Sequence, residues 1–391
     1  MEMRIPLSAP DISEADIEAV VSTLRTPRLS MGPKAEEFER AVASYVGVRH
    51  AVAVSSGTAG LHLSLRVLGI ADADEVILPS FTFLAVAHSI LYERGIPVFA
   101  DIDPLTRNLN PEKIEERITP RTRAIIAVHT FGYPAALGRI QSVAAKYGLP
   151  VIEDACEAIG AEYGGRKVGG IGRIGVFAFY PNKPITTAEG GMVVTDDANL
   201  AETIRALRNQ GRKETDGWSD HRLLGYNYRL SELHCALGLS QMRRLDEILH
   251  CRRDRALRYS QELRSIPEVT GPPLELPGGR VSWFAFVIQL NDEFTQTDRD
   301  FIHAQMRKRG IECGRYFAPI HRQPLYARFA PQADRDLPVT EHTAARTLAL
   351  PFFTRLTDQQ IAEVCDALRE AIGMVRQRNA HPTAVNAGRS S

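Results

Sequence analysis

Between residues 51 and 196 the chain alternates short apolar runs with stretches of helical periodicity. The runs are AVAVSS (51–56), EVILPS (75–80), PVFAD (97–101), RAIIAVHTFG (123–132), PVIEDAC (150–156), GVFAFY (175–180) and GMVVTD (191–196). Turn residues bound each run, and helical segments such as AGLHLSLRVLG and RIQSVAAKYG lie between most of them. Strands that are apolar throughout, without polar alternation, suit a sheet buried on both faces. Their alternation with helices predicts an α/β fold: a mostly parallel seven-stranded sheet in an αβα layer arrangement.

The flanks follow a helical rhythm. In DISEADIEAVVSTLRT, Ser13 and Asp16 form a capping-box pair, and Ile17, Val20, Val21 and Leu24 follow at the spacing of one helix face. This predicts an N-terminal amphipathic helix. A second helix is expected over PKAEEFERAVASYVG, ended by Gly47. The long segment from Ser231 to Ile266 predicts one or two helices leading out of the sheet domain. After it, VSWFAFVIQL reads as a strand, and TDRDFIHAQMRKRGIE and TDQQIAEVCDALREAIGMVRQR as helices. The expected organisation is an N-terminal segment with a large domain over 1–246, a smaller α+β domain over 247–377, and a disordered tail over 378–391. No internal repeat is evident.

Composition narrows the function classes. A length of 391 residues suits two domains, and 44% hydrophobic with 24% charged residues is ordinary for a globular chain. A net charge of +0 gives no general field for nucleic acid or an anionic membrane. No apolar run reaches the ~18 residues of a membrane helix, and the start MEMRIPLSAPD has no apolar signal core. Five widely spaced cysteines without a CxxC argue against a disulfide framework or a zinc site, so no metal is expected and a reducing cytoplasm is the default.

Three strand ends carry candidate chemistry. In SSGTAGLHLSL a strand runs directly into a helix. The first helical N–H groups lack partners there, and Gly57 lets a phosphate approach closely, with Thr58 adding a hydroxyl or a cap. An ordinary N-cap turn would look the same. In PVIEDAC, Glu153 and Asp154 end a buried-looking strand, at the edge where open α/β sheets bind ligands. They either cap the next turn, or Asp154 faces the ligand and holds a cationic nitrogen. In YPNKPITTAEGG, Lys183 follows a strand among small and apolar neighbours. Desolvation of such an amine favours its neutral, nucleophilic form. The chain has only seven lysines, and the other six stand in polar contexts, so Lys183 stands apart. Read alone it is more often a turn residue than a Schiff-base lysine. Taken together, a phosphate turn, a strand-end acid and a strand-end lysine are the set that pyridoxal 5′-phosphate requires. GIGRIG (170–175) matches GxGxxG, but it follows the hairpin-like YGGRKVGG and precedes a strand, so it reads as a glycine-rich connection.

These motifs, with DEVILPSFTFLAVA, VHTFGYP and GYNYRLSELHCALGLSQ, resemble the DegT/DnrJ/EryC1/StrS family of sugar aminotransferases from about residue 5 to about 375. The resemblance implies a fold-type I PLP enzyme, with Lys183 as the Schiff-base lysine, Asp154 as the partner of the pyridine nitrogen, and Gly57 and Thr58 as the phosphate turn. It further implies that Phe83 stacks on the cofactor, that Glu157 belongs to the cofactor site, and that Asn227 reaches the phosphate of a neighbouring subunit, hence a homodimer. Three positions depart from the family. Ala178 replaces a frequent serine that donates to the phosphate, Glu157 stands where many relatives have glutamine and so resembles the perosamine-synthase branch, and Ala188 replaces the first glycine of GEGG. Tyr180 is expected to border the cofactor. Arg229 reads either as a ligand for the donor carboxylate or substrate phosphates, or as a structural ion-pair partner. Tyr316 and His321, in a loop of the smaller domain, are candidates to line the sugar site. The expected reaction moves an amino group from an amino acid, L-glutamate by analogy, to a nucleotide-linked 4-keto-6-deoxy or 3-keto sugar. A cyclitol ketone or other non-nucleotide acceptor, or a non-catalytic regulatory protein retaining the fold, are the alternatives.

Overall fold

The structure, a computed structural model, describes residues 3–212, 221, 223–329 and 336–380. Two helices open the chain, α1 (Glu14–Leu24) and α2 (Pro33–Val46). The central region contains β1 (His50–Val54), α3 (Gly57–Val67), β2 (Glu75–Pro79), α4 (Ala85–Tyr92), β3 (Ile96–Ala100), β4 (Thr122–Val128), α5 (Leu137–Lys146) and β5 (Val151–Asp154). It continues with the short hairpin β6 (Glu162–Tyr163) and β7 (Arg166–Lys167), then β8 (Ile174–Ala178), β9 (Gly191–Thr195) and α6 (Ala198–Arg208).

All seven apolar runs are strands of one sheet, in the order β1-β9-β8-β5-β4-β2-β3. Only β9 runs antiparallel to its neighbours. Successive residues face opposite layers, and both layers are apolar. Val52, Val54, Val76, Leu78, Ala124, Ile126 and Ile152 pack towards α3, α4 and α6. Ala51, Ala53, Ile77, Ile125, Ala127 and Val151 pack on the other side, under α5 and α2. Burial of each Leu, Ile or Val side chain contributes roughly 1.5–3 kcal/mol, which is why the runs carry no polar alternation.

The sheet ends at β1, whose free edge is closed by side chains. Glu39 Oε1 accepts the Ala53 N–H at 2.9 Å, and Arg208 Nη1 donates to the Ala53 carbonyl at 2.6 Å. Arg205 Nη2 reaches the Ala51 carbonyl at 3.2 Å. Capping these groups removes the template that a bare edge offers to another strand.

Beyond the sheet, α7 (Glu232–Arg243) and α8 (Leu245–Leu263) lead to β10 (Val269–Thr270), β11 (Gly279–Arg280), β12 (Phe286–Leu290), α9 (Gln296–Lys308), α10 (Pro324–Phe329), α11 (Pro338–Arg346), β13 (Thr347–Leu350) and α12 (Asp358–Ala380). A small antiparallel sheet, β10-β12-β13, shares one apolar core with α8, α9 and α12. Its core also takes in Ile5, Phe81, Ile102 and Phe131, so apolar packing runs without a break across the boundary expected at 246/247. The strand expected from Val281 starts only at Phe286, because Trp283 takes the left-handed conformation (φ 58°). α12 continues through Ala380, into the first residues expected of the tail; the remainder of that tail lies outside the described residues.

α1 forms where its pattern places it, and its polar side, not its apolar one, carries the fully buried residues. Ser13 caps it and Asp16 completes the capping box. Ile17 and Leu24 are 48% and 53% exposed, whereas Asp16 and Thr23 are buried. Asp16 accepts Gln241 Nε2 on α7 at 2.7 Å, so the polar face seats the helix.

Candidate active site

The carboxyl ends of β1, β5 and β8 open onto one cavity of about 360 Å³. At the first, Ser56 is extended, and its Oγ accepts the Ala59 N–H at 3.0 Å. This cap leaves the Gly57 and Thr58 N–H groups, which have no intrahelical acceptor, facing the cavity at the positive end of α3. Glycine is required at 57: a Cβ there would stand 2.7 Å from Ala178 Cβ and 2.8 Å from Cys156 Sγ. The same contact shows that position 178 faces this turn, so the serine absent here would have added a hydroxyl beside it.

At the end of β5 the two acids part. Asp154, on the α3 side, lines the cavity, and among the described residues its carboxylate takes hydrogen bonds from Cys156 alone, the backbone N–H at 3.0 Å. Glu153 points to the other layer. Its carboxylate accepts His129 Nε2–H at 3.0 Å and the N–H groups of Gly169, Ile171 and Gly172 at 2.7, 2.7 and 2.5 Å. Burial opposes its ionisation, but His129 and the glycine-turn N–H groups outweigh that and hold its pKa below the usual carboxylate value. The turn it gathers is the one containing GIGRIG, which leads into β8 and opens no helix, as the sequence reading required.

After β8 the chain folds back on itself. The Lys183 N–H donates to the Tyr180 carbonyl at 2.9 Å, and Thr187 N–H and Thr186 Oγ1 donate to the Phe179 carbonyl at 2.9 and 3.0 Å. Buried Pro184 and Ile185 hold the loop down. Ala188 sits at φ 65°, where glycine costs least. The Lys183 ammonium lies 4.0 Å above the Phe284 ring centroid and 3.6 Å from Glu157 Oε1. Glu157 Oε2 accepts the Phe131 N–H at 2.9 Å. Burial raises the Glu157 pKa despite Lys183 beside it.

The opposite wall comes from the C-terminal part. Phe284, Tyr316 and Phe317 close it, and Phe317 stacks on Phe131 at 5.2 Å. Burial, with the charges of Glu157 and Glu312, pushes the Tyr316 hydroxyl up to about 12. The wall is fixed by the HTFGYP loop: the Ser282 and Phe284 N–H groups donate to the Gly132 and Phe131 carbonyls, each at 3.1 Å. Gly132 (φ 91°) has no room for a Cβ, which would meet the Trp283 nitrogen at 2.8 Å.

Of the residues singled out in the sequence, Gly57, Thr58, Phe83, Asp154, Glu157, Tyr180, Lys183 and Tyr316 line this cavity. Phe83 and Tyr180 stand at its mouth, 58% and 52% exposed. Asn227, Arg229 and His321 do not line it. Asn227 is on an exposed loop, and Arg229 Nη1 donates to Asn209 Oδ1 at 3.0 Å. His321 is fully buried, bonded to Ser80 Oγ at 2.7 Å and Glu341 Oε1 at 3.0 Å, and so fastens a C-terminal loop to the end of β2. Cys156, Asn182, Phe284 and Phe317 were not found in the sequence. The last follows Tyr316 directly, whereas Phe284 lies in a run that reads only as a strand. Among the described residues no group of acids, histidines and cysteines could hold a metal, and no helix is long and apolar enough to cross a membrane.

A family model for the DegT/DnrJ/EryC1/StrS aminotransferases matches residues 10–369. The chain belongs to this family. It is 39% identical over 371 residues to GDP-perosamine synthase of Caulobacter vibrioides, covering 94% of this chain and 98% of that one. It is 36% identical over 379 residues to the spore coat polysaccharide biosynthesis protein SpsC of Bacillus subtilis, covering 94% and 97%. Helicobacter pylori PseC, an aminotransferase of pseudoaminic acid biosynthesis, superposes with a TM-score of 0.90 at 30% identity over 95% and 99% of the two chains. The protein is thus a PLP-dependent sugar aminotransferase with the fold of those enzymes. The cavity fits the cofactor: it offers helix N–H groups for a phosphate, a carboxylate with spare acceptor capacity and a lysine amine on one surface.

Proposed function

We propose that this family member transfers an amino group from an amino acid, L-glutamate, to a keto sugar carried on a nucleotide, as a homodimer with shared sites. The observation carrying this reading is the convergence of Lys183, Asp154 and the Gly57–Thr58 turn on one cavity. The 39% identity to GDP-perosamine synthase supports a nucleotide-linked acceptor. The acceptor class proposed is a 4-keto-6-deoxy or 3-keto sugar.

Bound pyridoxal phosphate supplies a carbonyl carbon that takes up an amine and a ring that accepts electrons released when a proton leaves. Gly57 and Thr58 would hold its phosphate, Asp154 would keep its ring nitrogen protonated, and Phe83 would cover its ring. Lys183 would hold it covalently between turnovers. Once displaced, the Lys183 amine would carry the proton between the donor's α-carbon and the cofactor. Phe284, Tyr316 and Phe317 would keep water from that transfer. Asn227 would reach the neighbouring subunit's phosphate, and Arg229 beside it has no acidic partner among the described residues, which leaves it free for an anion.

The test is an acceptor screen with the amino form of the enzyme and mass spectrometry of the products. Aminated product from nucleotide-linked keto sugars is expected. Product only from keto cyclitols would overturn the acceptor assignment. An unchanged cofactor absorbance on adding glutamate would favour a non-catalytic protein. A Lys183→Ala protein that kept the lysine-bound absorbance and turned over would overturn the role given to Lys183.

A further inference from the structure

Asn227 is exposed, yet the residues on both sides of it are held firmly. The Tyr226 and Tyr228 rings stack with centroids 5.0 Å apart and planes 12° apart. Their backbones pair with the end of α6: Tyr226 N–H donates to the Leu207 carbonyl at 2.6 Å, and Tyr228 N–H to the Arg208 carbonyl at 2.9 Å. Tyr228 makes two further bonds, both to the segment that forms the phosphate turn. Its carbonyl accepts the Ser55 N–H at 2.8 Å, immediately before Ser56 and Gly57. Its hydroxyl lies 3.2 Å from Nδ1 of His62, which is on α3.

His62 is itself anchored. Its Nε2 is 2.8 Å from Glu93 Oε1, and the other Glu93 oxygen accepts Arg66 Nη1 at 3.0 Å. One neutral tautomer satisfies both ring contacts: Nε2–H donates to Glu93, and Nδ1 accepts the Tyr228 O–H. Burial lowers the His62 pKa, against the pull of Glu93. The His62 ring also meets Tyr226 edge-on at 4.9 Å.

We infer that His62 is a positioning residue for Asn227: through Tyr228 it fixes the loop that presents Asn227 to the neighbouring subunit. This rests on the reading above, in which Asn227 serves that subunit's phosphate. A short amide reaching out of its own subunit has few contacts of its own, so its aim depends on the residues beside it. His62 therefore joins two sites. It rides on the helix whose first turn faces this subunit's cavity, and it steers a group destined for the other. Loss of the His62–Tyr228 contact leaves the backbone pairing with Leu207 and Arg208 in place, so the loop keeps its fold and loses its aim.

The test uses mixed dimers in which one subunit carries Lys183→Ala, so that only the other gives the visible absorbance of lysine-bound pyridoxal phosphate. The cofactor is titrated and its affinity read from that absorbance. Asn227→Ala in the Lys183→Ala subunit is expected to weaken binding about tenfold or more, the worth of a hydrogen bond to a charged group. Tyr228→Phe, which keeps the stacked ring, is expected to weaken it about threefold from that same subunit, a fraction of one such bond, and to leave it unchanged from the lysine-bearing subunit. Adding His62→Ala to Tyr228→Phe is expected to cost less than the two changes summed, because they share one contact. If Asn227→Ala acts across the dimer but Tyr228→Phe acts equally from both subunits, only from the lysine-bearing one, or from neither, the positioning role is wrong. If Asn227→Ala has no effect across the dimer, the shared-site reading fails first, and the inference with it.

Discussion

Glu153 and Asp154 are neighbours on one strand, both are buried, and they do opposite work. Glu153 faces the layer of the glycine-rich turn, where four protein donors fill its acceptor sites. Asp154 turns its carboxylate to the cavity, where among the described residues only Cys156 donates to it. A carboxylate whose hydrogen bonds are all met inside the chain is part of the scaffold. One left with spare acceptor capacity at the mouth of a cavity is available to a ligand. The pleat of β5 decides which is which, since it turns adjacent side chains to opposite faces.

The widest split between the two acids should come from exchanging each in turn. Asp154→Asn is expected to slow the glutamate half-reaction about 10³-fold in rapid-mixing experiments, the scale of a lost electrostatic contact at the reacting group. Its denaturation midpoint should stay near that of the parent. Glu153→Ala is expected to do the reverse, lowering the unfolding free energy by about 3–5 kcal/mol in urea titrations, because it strands His129 and three N–H groups. Equal losses of rate and stability in both variants would break the comparison.

A smaller effect appears with pH. The Glu153 pKa is lowered by folding, so its stabilisation is present above the ordinary glutamate value of about 4.3 and is lost as pH falls through the folded value. Glu153→Gln should therefore show a shallower loss of stability on acidification below about pH 4. Glu157 is the opposite case. Its pKa is raised, so its stabilisation is complete below the ordinary value and lost as pH rises through the folded one. Glu157→Gln, which keeps an acceptor for Phe131, should melt about 1–2 °C above the parent apoprotein at neutral pH, the scale of a small free-energy change in a chain this long. The two curves should converge in acid.

The smallest effect is expected at a position in neither class. Ala188 holds a left-handed backbone at the cavity rim. Ala188→Gly should stabilise by about 0.5–1 kcal/mol, the relief of φ strain less the entropy of glycine, read from chemical denaturation.

The strands were legible because burial on both faces demands unbroken apolar runs, and no other element of that length does. Lys183, Asp154 and Gly57 were legible because each stands where such a run stops, at the edge where open sheets bind ligands. Phe284 was not, since its approach to Lys183 depends on a clamp between HTFGYP and a segment far along the chain. The facing of α1 was not legible for a related reason. Helical spacing shows that Ile17 and Leu24 share a side, but Asp16 makes a second bond, to Gln241, and that polar contact sets which side packs inward. His321 reads as a loop histidine until Ser80 and Glu341 are seen on either side of its ring.

The wall formed by Phe284, Tyr316 and Phe317 also sets an order of events in time. A chain made from its N-terminus carries the phosphate turn, Asp154 and Lys183 long before those three rings exist. The roof over the lysine depends on the C-terminal part, where Ser282 and Phe284 lock onto the Gly132 loop. The groups that would hold the cofactor thus precede in the chain the rings that enclose them, and a chain truncated before residue 284 would lack that enclosure.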